Sequence, residues 1–334
     1  MSKPKLPSRP SEVWDCGFVS DEPRPVRWIE ARNGAVLAGG DDLYLLKPGD
    51  EHWLMRPAPE TIGPLDRVAI EPRGDRRHAL VSGRTLGILF KSAQGEQVLA
   101  VRPQDETPLW WIRDIAWGGE EGAAALYMLR TDETLLRMRP DLSDLEELEV
   151  DAMAALASDD NGTVAMVSLD GADSRVYTTR DGVELSVREL ALDIDLDALV
   201  DIAVAGEAVA LLIESKYVLL SRGPADPFQR VEILDSPEGS RWKTGPITFQ
   251  GSSSDAALFC ARWESDLVRI MRVDASGAAT TIAELEGTEA LDPPEVVSLT
   301  WDSARQTLWG ASPYTGIIRC VAPEAKGKKK PVLS

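Results

Sequence analysis

The chain has 334 residues and carries 36 Lys and Arg against 55 Asp and Glu, a formal net charge of −19. So acidic a balance disfavours attraction to phosphate backbones and anionic lipid, so neither nucleic acid nor a membrane surface is an expected partner. Three cysteines, Cys16, Cys260 and Cys320, have no CxxC pair or framework spacing, and no run of about eighteen apolar residues occurs, so a soluble cytoplasmic protein with reduced thiols is expected.

Residues 1–11 are rich in Pro and basic residues and read as a flexible leader, and the lysine-rich stretch 324–334 as a basic flexible tail. Between them, 12–323 is expected to be a single domain. Glu12–Val19 (EVWDCGFV) is a strand without a hairpin partner beside it in sequence. A unit of four short strands then follows, VRWIEA, AVLAGG, DLYLLK and HWLMRP, broken at Arg32-Asn33-Gly34, Asp41 and Pro48-Gly49-Asp50. β-Branched and aromatic runs punctuated by Gly, Asn, Asp and Pro are the signal of a meander.

The same pattern recurs along the chain. Units two to six each offer four such strands, and the stretch from Val296 to Ala322 offers three, VVSLTW, TLWGAS and IIRCVA. First strands begin near residues 26, 67, 112, 154, 199, 245 and 296, a spacing of 41 to 51. A period of roughly 40 to 50 residues carrying four strands indicates an all-β, seven-bladed β-propeller of four-stranded antiparallel blades. The last unit lacks one strand and Glu12–Val19 lacks a partner, so the N-terminal strand is expected to complete the seventh blade and close the ring. That pairing places Cys16 and Cys320 in neighbouring strands, where both read as small buried hydrophobes. The whole chain resembles the broad class of seven-bladed repeat propellers that includes WD40-like proteins. The resemblance lies in period and pattern: Trp301-Asp302 ends a first strand rather than a third, and Trp14-Asp15 stands in the leader.

Residues for chemistry are sparse. His52 and His78 are the two histidines, both assigned to strands and without a convergent partner, so no triad or zinc site is expected. Asp193, Asp195 and Asp197 alternate, and Ser158–Gly162 is an oxygen-rich turn, but neither follows the spacing of a calcium loop. No catalytic residue, metal or cofactor is therefore assigned. The alternative is a metal-dependent hydrolase or lactonase-type propeller with acidic side chains at its central channel.

The favoured reading is a non-catalytic interaction module or regulatory scaffold. Second-to-third-strand turns and blade-to-blade connections emerge on one side of a propeller, and here they carry Asp41, Asp42, Asp132, Glu133, Asp193, Asp195, Asp197, Glu264 and Asp266 together with Trp110, Trp111, Trp242 and Trp263. This predicts a strongly negative face with aromatic anchors. Its expected partner is another protein with a basic contact surface.

Overall fold

The computed structural model describes residues 14–19, 24–72, 77–83, 85–92, 95–101, 111–119, 124–139, 145–150, 152–170, 173–180, 184–190, 198–214, 216–233, 243–264, 267–286 and 295–323. Its strands form seven antiparallel four-stranded sheets. The protein is a seven-bladed β-propeller.

Strand β1 (Asp15–Phe18) precedes blade 1, which comprises β2 (Val26–Arg32), β3 (Ala35–Gly40), β4 (Asp42–Leu46) and β5 (Leu54–Pro57). Blade 2 is β6 (Arg67–Ile70), β7 (Arg77–Ser82), β8 (Thr85–Ser92) and β9 (Gly95–Val101). Blade 3 is β10 (Ile112–Gly118), β11 (Ala125–Arg130), β12 (Leu135–Met138) and β13 (Leu145–Glu147). Blade 4 is β14 (Met153–Ser158), β15 (Val164–Ser168), β16 (Arg175–Thr179) and β17 (Ser186–Glu189). Blade 5 is β18 (Leu199–Ala205), β19 (Ala208–Ile213), β20 (Tyr217–Ser221) and β21 (Gln229–Glu232). Blade 6 is β22 (Lys243–Phe249), β23 (Leu258–Glu264), β24 (Leu267–Val273) and β25 (Ala279–Glu286). Blade 7 takes β26 (Ser298–Asp302), β27 (Thr307–Ser312) and β28 (Gly316–Val321) from the end of the chain and β1 from its beginning.

The second strands read as continuous apolar runs because both faces of each blade are covered. Along β11, Ala125, Tyr127 and Leu129 point into the cluster shared with blade 4, whereas Leu126 and Met128 point into the one shared with blade 2. Seven such apolar clusters fill the wedges between successive blades, including those between blades 6 and 7 and between blades 7 and 1. Outer strands lose the pattern, and β5, β17 and β21 are mostly exposed. First strands contact one another in the cyclic order β2, β6, β10, β14, β18, β22, β26 and back to β2, and so wall a central channel.

Between β2 and β3 the turn residues Asn33 and Gly34 both have positive φ, 51° and 75°. This is the conformation a two-residue hairpin needs and one that Asn-Gly tolerates. The expected closure holds: Asp15, Cys16, Gly17 and Phe18 pair with Val321, Cys320, Arg319 and Ile318. Trp14, just ahead of β1, is 9 % exposed and meets Phe259 and Trp301 edge-on at centroid distances of 5.5 and 6.3 Å. His78 does lie in β7, but His52 sits in the bend before β5 rather than in a strand. The leader 1–11 and the tail 324–334 lie outside the described residues. Among the described residues no helix is long and apolar enough to cross a membrane.

Candidate functional site: the channel and the upper face

Two regions compete for function: the channel, and the face carrying second-to-third-strand turns and blade connections, termed here the upper face. Five of the seven first strands are irregular at their upper ends, with register shifts at Val26/Trp28, Ile112/Asp114, Met153/Ala155, Leu199/Asp201 and Thr244/Ile247. Bulges re-aim side chains, and beside three of these, Trp28, Asp114 and Asp201 line the channel, where with Glu30 they border a cavity of about 110 Å³.

Two of the channel acids are tied to the backbone. The Asp201 carboxylate accepts the Ile247 N–H of the next blade at 2.7 Å. Asp114 accepts the Ile115 N–H at 2.9 Å, while the Glu30 Oε1 is buried without a hydrogen-bond partner among the described residues. In blade 7 hydroxyls do the same work, with the Ala31 N–H donating to Thr300 at 2.9 Å and Ser298 donating to the Ile29 carbonyl at 3.0 Å. Side chains thus stitch neighbouring first strands that have no ladder between them.

Below the acids the channel is crossed by Arg32, which is 2 % exposed. Its guanidinium donates to the carbonyls of Ile70 at 2.9 Å and Trp117 at 3.0 Å and to the Ser158 hydroxyl at 2.5 Å, reaching blades 2, 3 and 4 from blade 1. Glu30 lies 3.5 Å from it. Desolvation is the main cause that raises Glu30 to about 7, Asp114 to about 6 and Asp201 to about 7, with Arg32 acting against it at Glu30 and Arg67 at Asp114. The arrangement binds blades together, and among the described residues no group of three or more His, Cys, Asp or Glu side chains is placed to hold a metal ion.

The upper face presents a different surface. Trp111 is 53 % exposed, yet its backbone is fixed: Ile112 N–H donates to the Gly83 carbonyl at 3.0 Å and Thr131 N–H to the Trp111 carbonyl at 2.9 Å. Its indole covers Gly83, where an added Cβ would stand 3.0 Å from the ring. Gly83 N–H in turn donates to Asp66 at 2.9 Å. Asp66 faces Arg27 at 3.1 Å, and Arg27 also faces Asp41 at 3.4 Å. On the other side, Asp132 and Glu133 follow Thr131 in the turn, and the Glu133 carbonyl receives the Met153 N–H of blade 4 at 2.9 Å. One continuous rim therefore runs from Asp41 over Trp111 to Glu133.

Of the residues assigned from sequence, the structure brings Asp41, Trp111, Asp132 and Glu133 together on this rim, with Asp42 beside Asp41. Trp263 is a correction. It is 7 % exposed, because Gly245, in the irregular start of β22, leaves space in which its ring lies; a Cβ there would fall 2.1 Å from it. It belongs to the wedge between blades 6 and 7. A glycine in a first strand next to a blade boundary was the signal available for this. Trp110, Asp193, Asp195, Asp197, Trp242, Asp266 and the side chain of Glu264 lie outside the described residues.

The described rim is also less negative than expected. Arg24 pairs with Asp42 at 2.9 Å, Arg27 with Asp41 and Asp66, and Arg130 with Asp132. Arg24 and Arg27 sit at the point where the chain passes into blade 1, and counting turns alone overlooks them. Glu133, in the left-handed region at φ 68°, makes no ion pair among the described residues.

No family model matches the sequence, and no curated protein matches it. Solved structures do. U3-55K is similar at a TM-score of 0.64 with 13 % identity, covering 92 % of this chain and 98 % of that one. The RRP9 WD40 repeats give 0.62 with 13 % identity over 92 % and 97 %, and YCF48 bound to D1 peptide gives 0.63 with 12 % identity over 96 % and 100 %. The likeness is one of fold, and one of these structures is of WD40 repeats. BBS1N, solved in complex with ARL6DN, gives 0.61 with 15 % identity over 94 % and 98 %.

Proposed function

We propose that this propeller is a non-catalytic, cytoplasmic interaction module that binds another protein through the upper rim of blades 1 to 3. The observation that carries this reading is Trp111, a large ring half in solvent on a backbone fixed from both sides. Burying such a ring costs little conformational entropy and supplies the apolar centre of a hot spot. Glu133, which makes no ion pair among the described residues, and the excess of carboxylates over the Arg24, Arg27 and Arg130 that pair with them favour a partner with a basic contact. Two of the similar propellers were solved with a protein or peptide bound, which supports a binding role for the scaffold. The hydrolase alternative rests on the channel acids, of which Asp201 and Asp114 accept backbone N–H groups and Glu30 lies 3.5 Å from Arg32.

The test is quantitative capture from the native host with wild-type protein, Trp111→Ala and, as a surface control away from the rim, Leu54→Ala. A specific partner should fall at least about tenfold with Trp111→Ala, as expected for a hot-spot aromatic, and stay unchanged with Leu54→Ala. Glu133→Lys should slow its association and weaken the salt dependence. Undiminished capture by Trp111→Ala would refute the assignment of this rim.

A further inference from the structure

The seam of the ring contains two cysteines whose placement follows from hydrogen-bond parity. Cys16 is the register partner of Cys320. One step beyond the pairing, Val19 N–H donates to the carbonyl of Ile317, its own register partner, at 2.9 Å. In an antiparallel ladder hydrogen-bonded and non-hydrogen-bonded pairs alternate. Val19 with Ile317, Gly17 with Arg319 and Asp15 with Val321 therefore form the hydrogen-bonded set, and Cys16 with Cys320 is a non-hydrogen-bonded pair. Such pairs bring Cα atoms to about 4.5 Å with side chains close on one face, inside the window of about 4.4–6.8 Å that a disulfide spans.

Packing agrees. Cys16 and Cys320 belong to the same apolar cluster, with Trp14, Phe259 and Trp301. Cys320 is fully buried, while Cys16 is half-buried and so the sulfur a reagent reaches. The contact with Cys16, reinforced by burial, pushes the Cys320 thiol up and keeps it protonated. Cys260 is buried in the wedge between blades 5 and 6 without a cysteine neighbour.

We infer that Cys16 and Cys320 form an oxidative modification site that takes a low-molecular-weight disulfide as its oxidant and locks the ring at its seam. The Cys16 thiolate attacks one sulfur of the small disulfide, forming a mixed disulfide and releasing one small thiolate. Cys320 attacks the Cys16 sulfur and expels the second small thiolate, which takes up the Cys320 proton as it leaves. Two protein thiols are oxidised and one small disulfide is reduced to two thiols. The product ties the first strand of the chain to the last and closes nearly the whole chain into one loop, so it acts on the denatured state over the longest span available.

The full chain, fully reduced and then equilibrated with oxidised glutathione, should yield on non-reducing digestion and mass spectrometry one peptide joining Cys16 to Cys320. Cys260 should remain open to alkylation after denaturation. The midpoint of thermal unfolding should rise by on the order of 5 °C and return on reduction. Cys16→Ser should abolish both the joined peptide and the rise, and Cys260→Ala should keep them. A stable glutathione adduct at Cys16 with Cys320 still a thiol, a linkage only between two molecules, or a joined peptide with no rise in the midpoint would each overturn the inference. Peptide mapping of the wild-type chain decides the pairing even if Cys16→Ser folds poorly.

Discussion

Replacing Trp14 by alanine tests the closure of the ring at one side chain. Trp14 precedes β1 and is 9 % exposed; it lies edge-on to Phe259 of blade 6 and Trp301 of blade 7, which themselves stack at 5.5 Å. Truncating a buried aromatic of this size costs about 3–5 kcal/mol, from lost transfer energy plus the cavity left behind. Unfolding entropy near ~2.1 cal/mol/K per residue gives roughly 0.7 kcal/mol/K for a chain of this length, so the melting midpoint should fall by about 4–7 °C. Trp14→Phe separates ring packing from polarity. The Trp14 indole N–H is buried without a partner among the described residues, so exchanging it for a phenyl edge removes an unsatisfied donor and should cost less than half as much. Differential scanning calorimetry on the three proteins reads both values. Should Trp14→Ala melt within about 1 °C of wild type, less than ~1 kcal/mol would be at stake, and the N-terminal strand would not be holding blades 6 and 7 together.

Two further outcomes follow from the channel. Glu30, Asp114 and Asp201 have folded-state pKa values of about 7, 6 and 7, above their ordinary range, so the folded state binds more protons than the unfolded one. Stability from these groups is full below the ordinary carboxylate range and is lost as pH rises through 6 to 7; the melting midpoint should drop between pH 5 and pH 8, and Asp201→Asn should flatten that drop, whereas an unchanged slope would refute the role of Asp201. Arg32→Met leaves two carbonyls and the Ser158 hydroxyl without their donor and Glu30 without its ion pair and should destabilise by about 3–5 kcal/mol, measured by denaturant unfolding; a loss below about 1 kcal/mol would place Arg32 among the weak surface pairs.

The fold was legible because the repeat is written in local signals. Turn residues at Asn33-Gly34, strands of four to eight residues and a regular spacing of first strands need no knowledge of distant contacts, and the unpaired strand at one end matched the missing strand at the other. Paired edges explain why this arithmetic worked: a ring with an open blade exposes two rows of backbone donors and acceptors.

Side-chain roles were a different matter. Sequence placed Trp111 and Trp263 alike, each beside acids at the same side of the ring, and tertiary structure separated them: Gly245 leaves a slot for one ring, while Gly83 gives the other only a ledge to lie on. The charge of the upper rim could not be read by counting turn residues, because Arg24 and Arg27 reach their acids from a different segment of the chain, across distances set by the ring. Nor could the channel, where Arg32 and three carboxylates from blades 1, 3 and 5 converge only because first strands of all blades share one axis. Strand period and turn chemistry are properties of neighbours in sequence, and these the chain alone determined. Which carboxylate is desolvated, which ring meets solvent and the register at which Cys16 meets Cys320 depend on residues brought together by closure, and only the tertiary structure decided them.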